Sequence, residues 1–112
     1  MTADRNPQTS QPGIDLPNLR SFFRGYFHQD MKDEYGSPEE AVREFCADAS
    51  PQERAAVARE WSQFLDQTKG QTLDSLNRIL TGPLGSSYAL SPEDIASLSS
   101  IFSRALRRSN YR

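Results

Sequence analysis

Cysteine and histidine are almost missing from this sequence, since each occurs once in 112 residues, as Cys46 and His28. A single cysteine cannot form a disulfide within the chain, which agrees with a reducing compartment. A hydrolytic zinc site needs several ligands at set spacings, and His28 with Asp30 and Glu34 supplies only one imidazole. We therefore expect no metal and no cofactor, and we expect Cys46 to be a small buried apolar residue rather than a reactive thiol.

Long hydrophobic runs are missing as well. No eighteen consecutive residues are apolar, and the first five residues lack the apolar segment of a secretory signal. The formal net charge is -2 and the isoelectric point is about 5.3, which does not suggest a general affinity for nucleic acid. These features predict a soluble cytoplasmic protein that has no membrane-spanning helix, and they argue against nucleic acid as a partner.

Familiar catalytic motifs are the third absence. The run Gly82-Pro83-Leu84-Gly85 has neither the lysine nor the following helix start of a phosphate-binding loop. The adjacent carboxylates of Asp33 and Glu34 occur where solvated helix ends are expected, so general acid–base chemistry has no support. We expect that the protein is not an enzyme.

An aromatic stripe dominates what the sequence does contain. Its members have the spacing of one helix face: Leu19, Phe22, Phe23, Tyr26 and Phe27. This central helix should begin near Pro17, with Asp15 as a possible N-cap, after a disordered lead over residues 1–13. Two endings are open: the helix stops near His28 and Asp30 bonds nearby backbone amides, or Asp30 sits half-buried in a hydrogen-bonded polar node.

Three later helices share one start signal, Ser-Pro followed by an acid at the third helical position. It occurs at residues 37–40, 50–53 and 91–94, where the first two are full capping boxes and the third approximates one. A further apolar periodicity runs from residue 73 to residue 80, and residues 83–90 are expected to form a loop.

No segment alternates like a strand, so the pattern predicts an all-α protein with about five helices. We expect a single compact domain, a helical bundle over residues 14–112. Its predicted core residues are Phe23, Phe45, Trp61, Phe64 and Leu65.

Acidic residues concentrate in one part of the chain. Residues 28–53 contain eight acids against Lys32 and Arg43, a local balance of -6, while the remainder of the chain is +4. Such a segment can steer and dock a basic protein surface, although acids also simply favour the first turn of a helix. The predicted partner-binding residues are Asp33, Glu34, Tyr35, Glu39, Glu40 and Glu44.

One run in the central helix and after it is distinctive: Tyr26, Phe27, His28, Gln29 and Asp30, which we treat as a structural node. With this run as the most specific feature, the sequence over residues 19–68 resembles the immunity proteins of bacterial contact-dependent growth inhibition systems. Met31 follows the run where that family commonly has tryptophan. The remaining similarity lies in Tyr35-Gly36-Ser37, Glu39-Glu40-Ala41, Phe45, Ser50-Pro51, Trp61 and Leu65.

The resemblance implies a small helical cytosolic protein whose partner is the C-terminal toxin domain of a large surface-exposed effector. Such toxins are often nucleases, and the resemblance implies that binding blocks the toxin and protects the cell that makes it. A nuclease surface is basic because it holds phosphates, so an acidic partner can occupy it. When unbound, the protein is expected to be a monomer or a weak dimer.

The alternative function is a small regulatory nucleic-acid binder or another protein-interaction module. It rests on a C-terminal cluster that contains Arg104, Arg107, Arg108, Tyr111 and Arg112. Four arginines make a modest footprint for nucleic acid, and basic residues are also favourable at the C-terminus of any helix.

Overall fold

The structure is a computed structural model that describes residues 15–111, with side chains as far as Arg107. Over that range it has six helices and no strand, which confirms the all-α prediction. The predicted lead over residues 1–13 lies outside the described residues. The helices are α1 (Pro17–Tyr26), α2 (Met31–Glu34), α3 (Pro38–Asp48), α4 (Pro51–Gln67), α5 (Leu73–Thr81) and α6 (Pro92–Tyr111).

The short helix α2 was not predicted, and it changes how the central helix ends. Helix α1 stops at Tyr26, and Asp30 is exposed at the start of α2 with no side-chain capping bond. Neither predicted ending is therefore right in full, because the Asp30 carboxylate is neither buried nor bonded to the helix start. Met31 turns inward instead and is 0% exposed, so methionine fills the apolar position that follows the motif.

Local capping explains where most helices begin. At Ser50 and Ser91 the side chain accepts a bond from the third helical N–H while the acid at that position accepts from the serine N–H. At Ser37 the hydroxyl accepts from the N–H of Glu40, and the structure shows no return bond from that glutamate. The third site, which was expected only to approximate a capping box, therefore has both bonds. The first site, which was expected to be a full capping box, has only one of them. Helix α5 starts similarly at Thr72.

Helix α1 is capped by a residue from another helix. Its N-cap is Leu16 rather than Asp15, and a leucine side chain cannot accept a hydrogen bond. Glu60 of α4 takes this role, because its carboxylate accepts from the Leu19 N–H at 2.8 Å and from the Asn18 side chain at 2.7 Å. A negative charge is also favourable at the N-terminus of a helix. The start of α1 is therefore fixed by tertiary structure.

The core lies between α1, α3, α4 and α6, which pack against one another in most pairings. The Phe22 ring is its hub, with centroid distances of 5.1 Å to Phe23, 5.3 Å to Phe27, 4.9 Å to Phe45 and 5.6 Å to Phe102. These separations and tilted rings are typical of favourable aromatic packing.

Trp61 connects α4 to α6 on the other side of this cluster. Its ring lies 6.1 Å from Phe102 and 5.5 Å from Phe64, and its indole N–H donates to the Ser99 hydroxyl at 2.9 Å. A buried tryptophan needs such a partner, because an unpaired N–H away from water is costly. The bond thereby fixes the register of α6 on α4.

The structure places some predicted core positions less deeply than expected. Leu65 and Cys46 are partly buried at the edge of the core, and Leu73 is 39% exposed although it belongs to the apolar periodicity of α5. Helix α5 meets the core mainly at its C-terminal end, where Leu80 is buried, so its first turn is left outside. The other predicted core residues are buried: Phe23, Phe45, Trp61 and Phe64.

The loop over residues 83–90 contributes to the core, which the sequence did not indicate. Leu84 and Leu90 are buried at 1% and 2% exposure. Asn77 of α5 holds the end of the loop by donating to the Leu90 carbonyl and accepting from the Leu90 N–H. No helix over residues 15–111 is both long and apolar enough to cross a membrane.

Candidate protein-binding surface

The turn formed by residues 26–30, called the motif turn below, links α1 to α2. Phe27 is 0% exposed and anchors the turn in the core. The His28 Nδ1 atom accepts a bond from the Asp30 N–H at 3.2 Å, so we assign the ring proton to Nε2, which lies 3.3 Å from Glu34 Oε1. The histidine therefore braces the turn against α2.

The 83–90 loop forms two hydrogen bonds with the motif turn. The Ser87 N–H donates to the Phe27 carbonyl at 2.8 Å, and the Tyr88 hydroxyl donates to the Gln29 carbonyl at 2.5 Å. The Lys32 ammonium lies 5.5 Å from the centre of the Tyr88 ring, a favourable distance for a cation over an aromatic face. These contacts give Phe27, His28 and Gln29 positioning roles within the fold.

Tyr26 is the last residue of α1, and Tyr35 follows the last residue of α2. Their side chains contact each other, and we call them the tyrosine pair below. Their rings stack at 5.6 Å with an angle of 25° between their planes, and the Phe45 ring meets Tyr26 edge-on at 5.5 Å. Both tyrosines are half-buried. Since Phe45 is in the core, the pair forms a firm aromatic surface that is partly open to solvent.

Carboxylates surround the tyrosine pair. Burial raises the pKa of Tyr26, and the charges of Asp48 and Glu44 and a hydrogen bond to Asp48 raise it further. Burial likewise raises the pKa of Tyr35, with further contributions from Glu34, Glu44 and Asp48. Nearby negative charge disfavours a phenolate, so both shifts show that the acids lie close enough to act on these rings.

The acids of α3 fall into two groups. Glu40, Glu44 and Asp48 recur every four residues and therefore share one side of the helix; we call them the acidic ridge. Glu39 is different because Arg43 donates to it at 2.6 Å, and this bond with the Glu39 charge raises the pKa of Arg43. The negative charge of Glu39 is thus partly neutralised. No ion pair of the described residues includes a ridge carboxylate, and the Glu40 charge has only a smaller effect on the pKa of Arg43.

A groove of about 260 Å³ lies beside the ridge, where α1, α3 and α4 meet. Three aromatic residues form much of its apolar wall, and two acids belong to its lining. The lining residues are Asn18, Ser21, Phe22, Tyr26, Phe45, Asp48, Ala49, Glu53 and Val57. We call this the acidic groove.

A second groove, of about 280 Å³, lies between α3 and α6 and is lined in part by Arg43, Arg54 and Arg104. Arg54 is engaged there, since it donates to the Cys46 and Ala49 carbonyls at the end of α3. Arg107 is exposed on α6. The side chains of Arg108, Tyr111 and Arg112 lie outside the described residues, so the structure shows only part of the predicted basic cluster.

Among the side chains from residue 15 to residue 107, no three His, Cys, Asp or Glu residues are grouped so that they could hold a metal ion. The described surface presents an aromatic pair, exposed carboxylates and a groove.

Comparison with protein families matches residues 15–99 to the model described as CdiI immunity protein. The match covers most of the chain, from the start of α1 to the first two turns of α6. The chain belongs to the CdiI immunity protein family. Comparisons with curated proteins and with solved structures returned no match.

In this CdiI immunity protein, the fold brings only some of the predicted acids close to the tyrosine pair. Of the residues that the sequence suggested, Glu34, Tyr35 and Glu44 lie together. Asp33 and Glu40 are exposed on α2 and α3, and Glu39 is paired with arginine. Asp48 was counted among the acids of the segment but was not predicted to bind a partner, although its position four residues after Glu44 places it on the same side of α3. Membership of this family also agrees with a role in binding rather than in catalysis.

Proposed function

We propose that this protein binds and neutralises the C-terminal toxin domain of a contact-dependent growth inhibition effector through the tyrosine pair and the acidic ridge. Family membership supports the class of partner. The observation that supports the surface is the stacked pair of half-buried tyrosines with Glu44 and Asp48 close enough to act on both rings. As the resemblance implies, the binding would take place in the cytoplasm, with no catalytic step by this chain.

Tyrosine suits the centre of such an interface. It presents a large rigid surface with few rotatable bonds, and aromatic residues are enriched where partners bury most area. Here the stacked rings are already held by Phe45 and the motif turn, so little order would have to be gained on binding. The exposed acids around them would add electrostatic attraction, which raises the association rate and fixes the orientation of the partner.

The negative charge also favours one class of toxin. A nuclease holds phosphates with lysine and arginine side chains, and carboxylates in a row present the same sign of charge as a phosphate backbone. We therefore propose a nuclease toxin whose substrate-binding surface is covered by the ridge residues Glu40, Glu44 and Asp48. The previously predicted Asp33 and Glu34 would extend the same negative field along α2.

The direct test is the association rate with the proposed partner, the C-terminal toxin domain of a contact-dependent growth inhibition effector. We expect the double variant Glu40→Lys and Glu44→Lys to associate at least about tenfold more slowly at low salt, with a smaller difference at high salt, because the exposed charges that steer the encounter are reversed. The matched control is Asp66→Lys with Glu93→Lys, which makes the same change in net charge at exposed positions of α4 and α6.

Circular dichroism would show that both variants keep their helices. If the ridge variant and the control associate at the same rate at low salt, the toxin binds elsewhere on the protein. A second measurement addresses the nuclease: the wild-type protein should displace a labelled oligonucleotide from an inactivated toxin domain. Displacement that fails while the toxin complex forms would exclude coverage of the substrate surface.

A further inference from the structure

We infer that the acidic groove receives one arginine side chain of the partner toxin. This inference rests on the proposed function and adds a specific subsite to it. The groove is open where α1, α3 and α4 meet, and its volume of about 260 Å³ suits one long side chain rather than a helix, whose diameter is about 10 Å.

The lining has the two parts that an arginine requires. Phe22 and Phe45 are 2% and 7% exposed, and the Tyr26 ring already stacks on both Phe22 and Tyr35. These residues therefore offer an apolar wall for the methylene stem rather than a free ring face for the guanidinium. Asp48 and Glu53 offer carboxylates, which pair with the fork of guanidinium N–H donors. Lysine would lose this paired geometry, so the carboxylates favour arginine.

Both carboxylates keep accepting capacity after their internal bonds are counted. Glu53 Oε1 accepts from the Ser50 N–H at 3.0 Å, and Asp48 bonds to the Tyr26 hydroxyl. Each carboxylate has about four lone-pair sites, so one internal bond leaves most of them unused. No lysine, arginine or histidine belongs to the described lining of the groove, so neither carboxylate has a cationic partner among the lining residues.

The end of α3 lies in the wall of the groove, since the helix finishes at Asp48 and Ala49 is its C-cap. Arg54 already donates to the Cys46 and Ala49 carbonyls at this helix end, so the preference for a cation comes from the two carboxylates. An apolar side chain placed here would instead bury two carboxylates without a partner, which is costly.

The subsite can be tested without the toxin by an NMR titration with N-acetyl-arginine methylamide. We expect saturable shifts at the amides of Ser21, Asp48 and Glu53, with half-saturation at millimolar concentration. N-acetyl-citrulline methylamide, which has a similar shape and no charge, should give none of them. Equal shifts with the citrulline compound, or no saturable shift with arginine, would overturn the inference.

The variant for both assays is Asp48→Asn with Glu53→Gln, because it removes two charges and leaves side chains that can still bond to Tyr26 and Ser50. Asp66→Asn with Glu93→Gln is the control of equal charge and similar chemistry. We expect the groove variant to lose the arginine shifts while the control keeps them. Shifts that persist in the groove variant would also count against the subsite.

With the toxin domain, the groove variant should dissociate about 10 to 100 times faster than the control, because loss of a buried charge pair acts mainly on the dissociation rate. Alanine substitution of each toxin arginine should identify one whose effect disappears in the groove variant. Toxin binding with an unchanged dissociation rate would overturn the inference and leave the proposed function standing. Absence of any toxin binding would reject the proposed function, while the arginine titration would still decide whether the groove takes guanidinium.

Discussion

Replacing Glu60 by alanine should weaken the fold more than its position on a half-exposed helix face suggests. The carboxylate accepts bonds from the Leu19 N–H at 2.8 Å and from the Asn18 side chain at 2.7 Å. No side chain at the N-cap of α1 can take over, since that residue is Leu16. The substitution therefore leaves the Leu19 N–H without its partner, next to a side chain that is 0% exposed.

The expected loss follows from the type of bond. Hydrogen bonds to a charged group contribute about 1.5 to 3 kcal/mol, and the loss of a helix cap costs about 0.5 to 2 kcal/mol. Because Glu60 is partly exposed and water can replace some of the lost interaction, we expect a total near 2 to 3 kcal/mol. For a domain of this size, that lowers the melting temperature by about 10 to 15 °C.

Urea denaturation followed by circular dichroism measures this difference directly. Glu60→Gln should lose about 1 kcal/mol, because the amide oxygen still accepts from Leu19 but no charge remains. The effects of Asn18→Ala and Glu60→Ala should not add in the double variant, since the two side chains share one bond. Arg59→Ala, an exposed neighbour on α4, should change stability by less than about 0.5 kcal/mol. A Glu60→Ala protein as stable as the Arg59→Ala control would refute the capping role.

Three further outcomes are expected. Trp61→Ala should lower the free energy of unfolding by about 3 to 5 kcal/mol in urea, because a side chain that is 1% exposed leaves a large cavity; a loss below about 1 kcal/mol would contradict its place in the core. Tyr26 and Tyr35 should ionise above the ordinary value of 10.0, since burial, and then neighbouring carboxylates, raise each pKa. The neutral rings therefore add stability below that pH which is lost as pH rises through the folded pKa, and Phe at either position should remove one late step from the tyrosinate absorbance titration. Tyr88→Phe should cost about 1 kcal/mol and speed amide exchange around Gln29, because the hydroxyl bond to its carbonyl is removed; unchanged exchange would exclude that bond as a support of the turn.

The features of the fold that were predicted correctly depend on residues that lie close together in the sequence. Helices that start at Ser37, Ser50 and Ser91 were predicted because a cap and its partners lie within four residues of each other. A single turn such as α2 has no periodicity to detect, so it was missed. The cap from Glu60 was also hidden, because its partner Leu19 lies 41 residues away in the chain.

The candidate site was also predicted only where the signal lies within one short segment of the sequence. The acidity of the segment could be counted from composition, and Glu44 and Tyr35 were named on that basis. The separation of Glu39 from the ridge depends on its bond to Arg43, which composition does not report. The groove could not be predicted at all, because Glu53 comes from a different helix than the other acids and meets them only after α4 packs on α1.

The bonds from the 83–90 loop to the motif turn have a consequence for the time at which the protein becomes active. The Tyr88 hydroxyl and the Gln29 carbonyl that it meets are 59 residues apart. A ribosome makes the chain from its N-terminus, so the turn emerges well before the loop that holds it. We expect a nascent or truncated chain that ends before residue 87 to lack both these bonds and helix α6, whose Phe102 packs on Phe22, so Tyr26 would not belong to a fixed surface. Under the proposed function, only molecules whose synthesis is nearly complete would then bind the toxin.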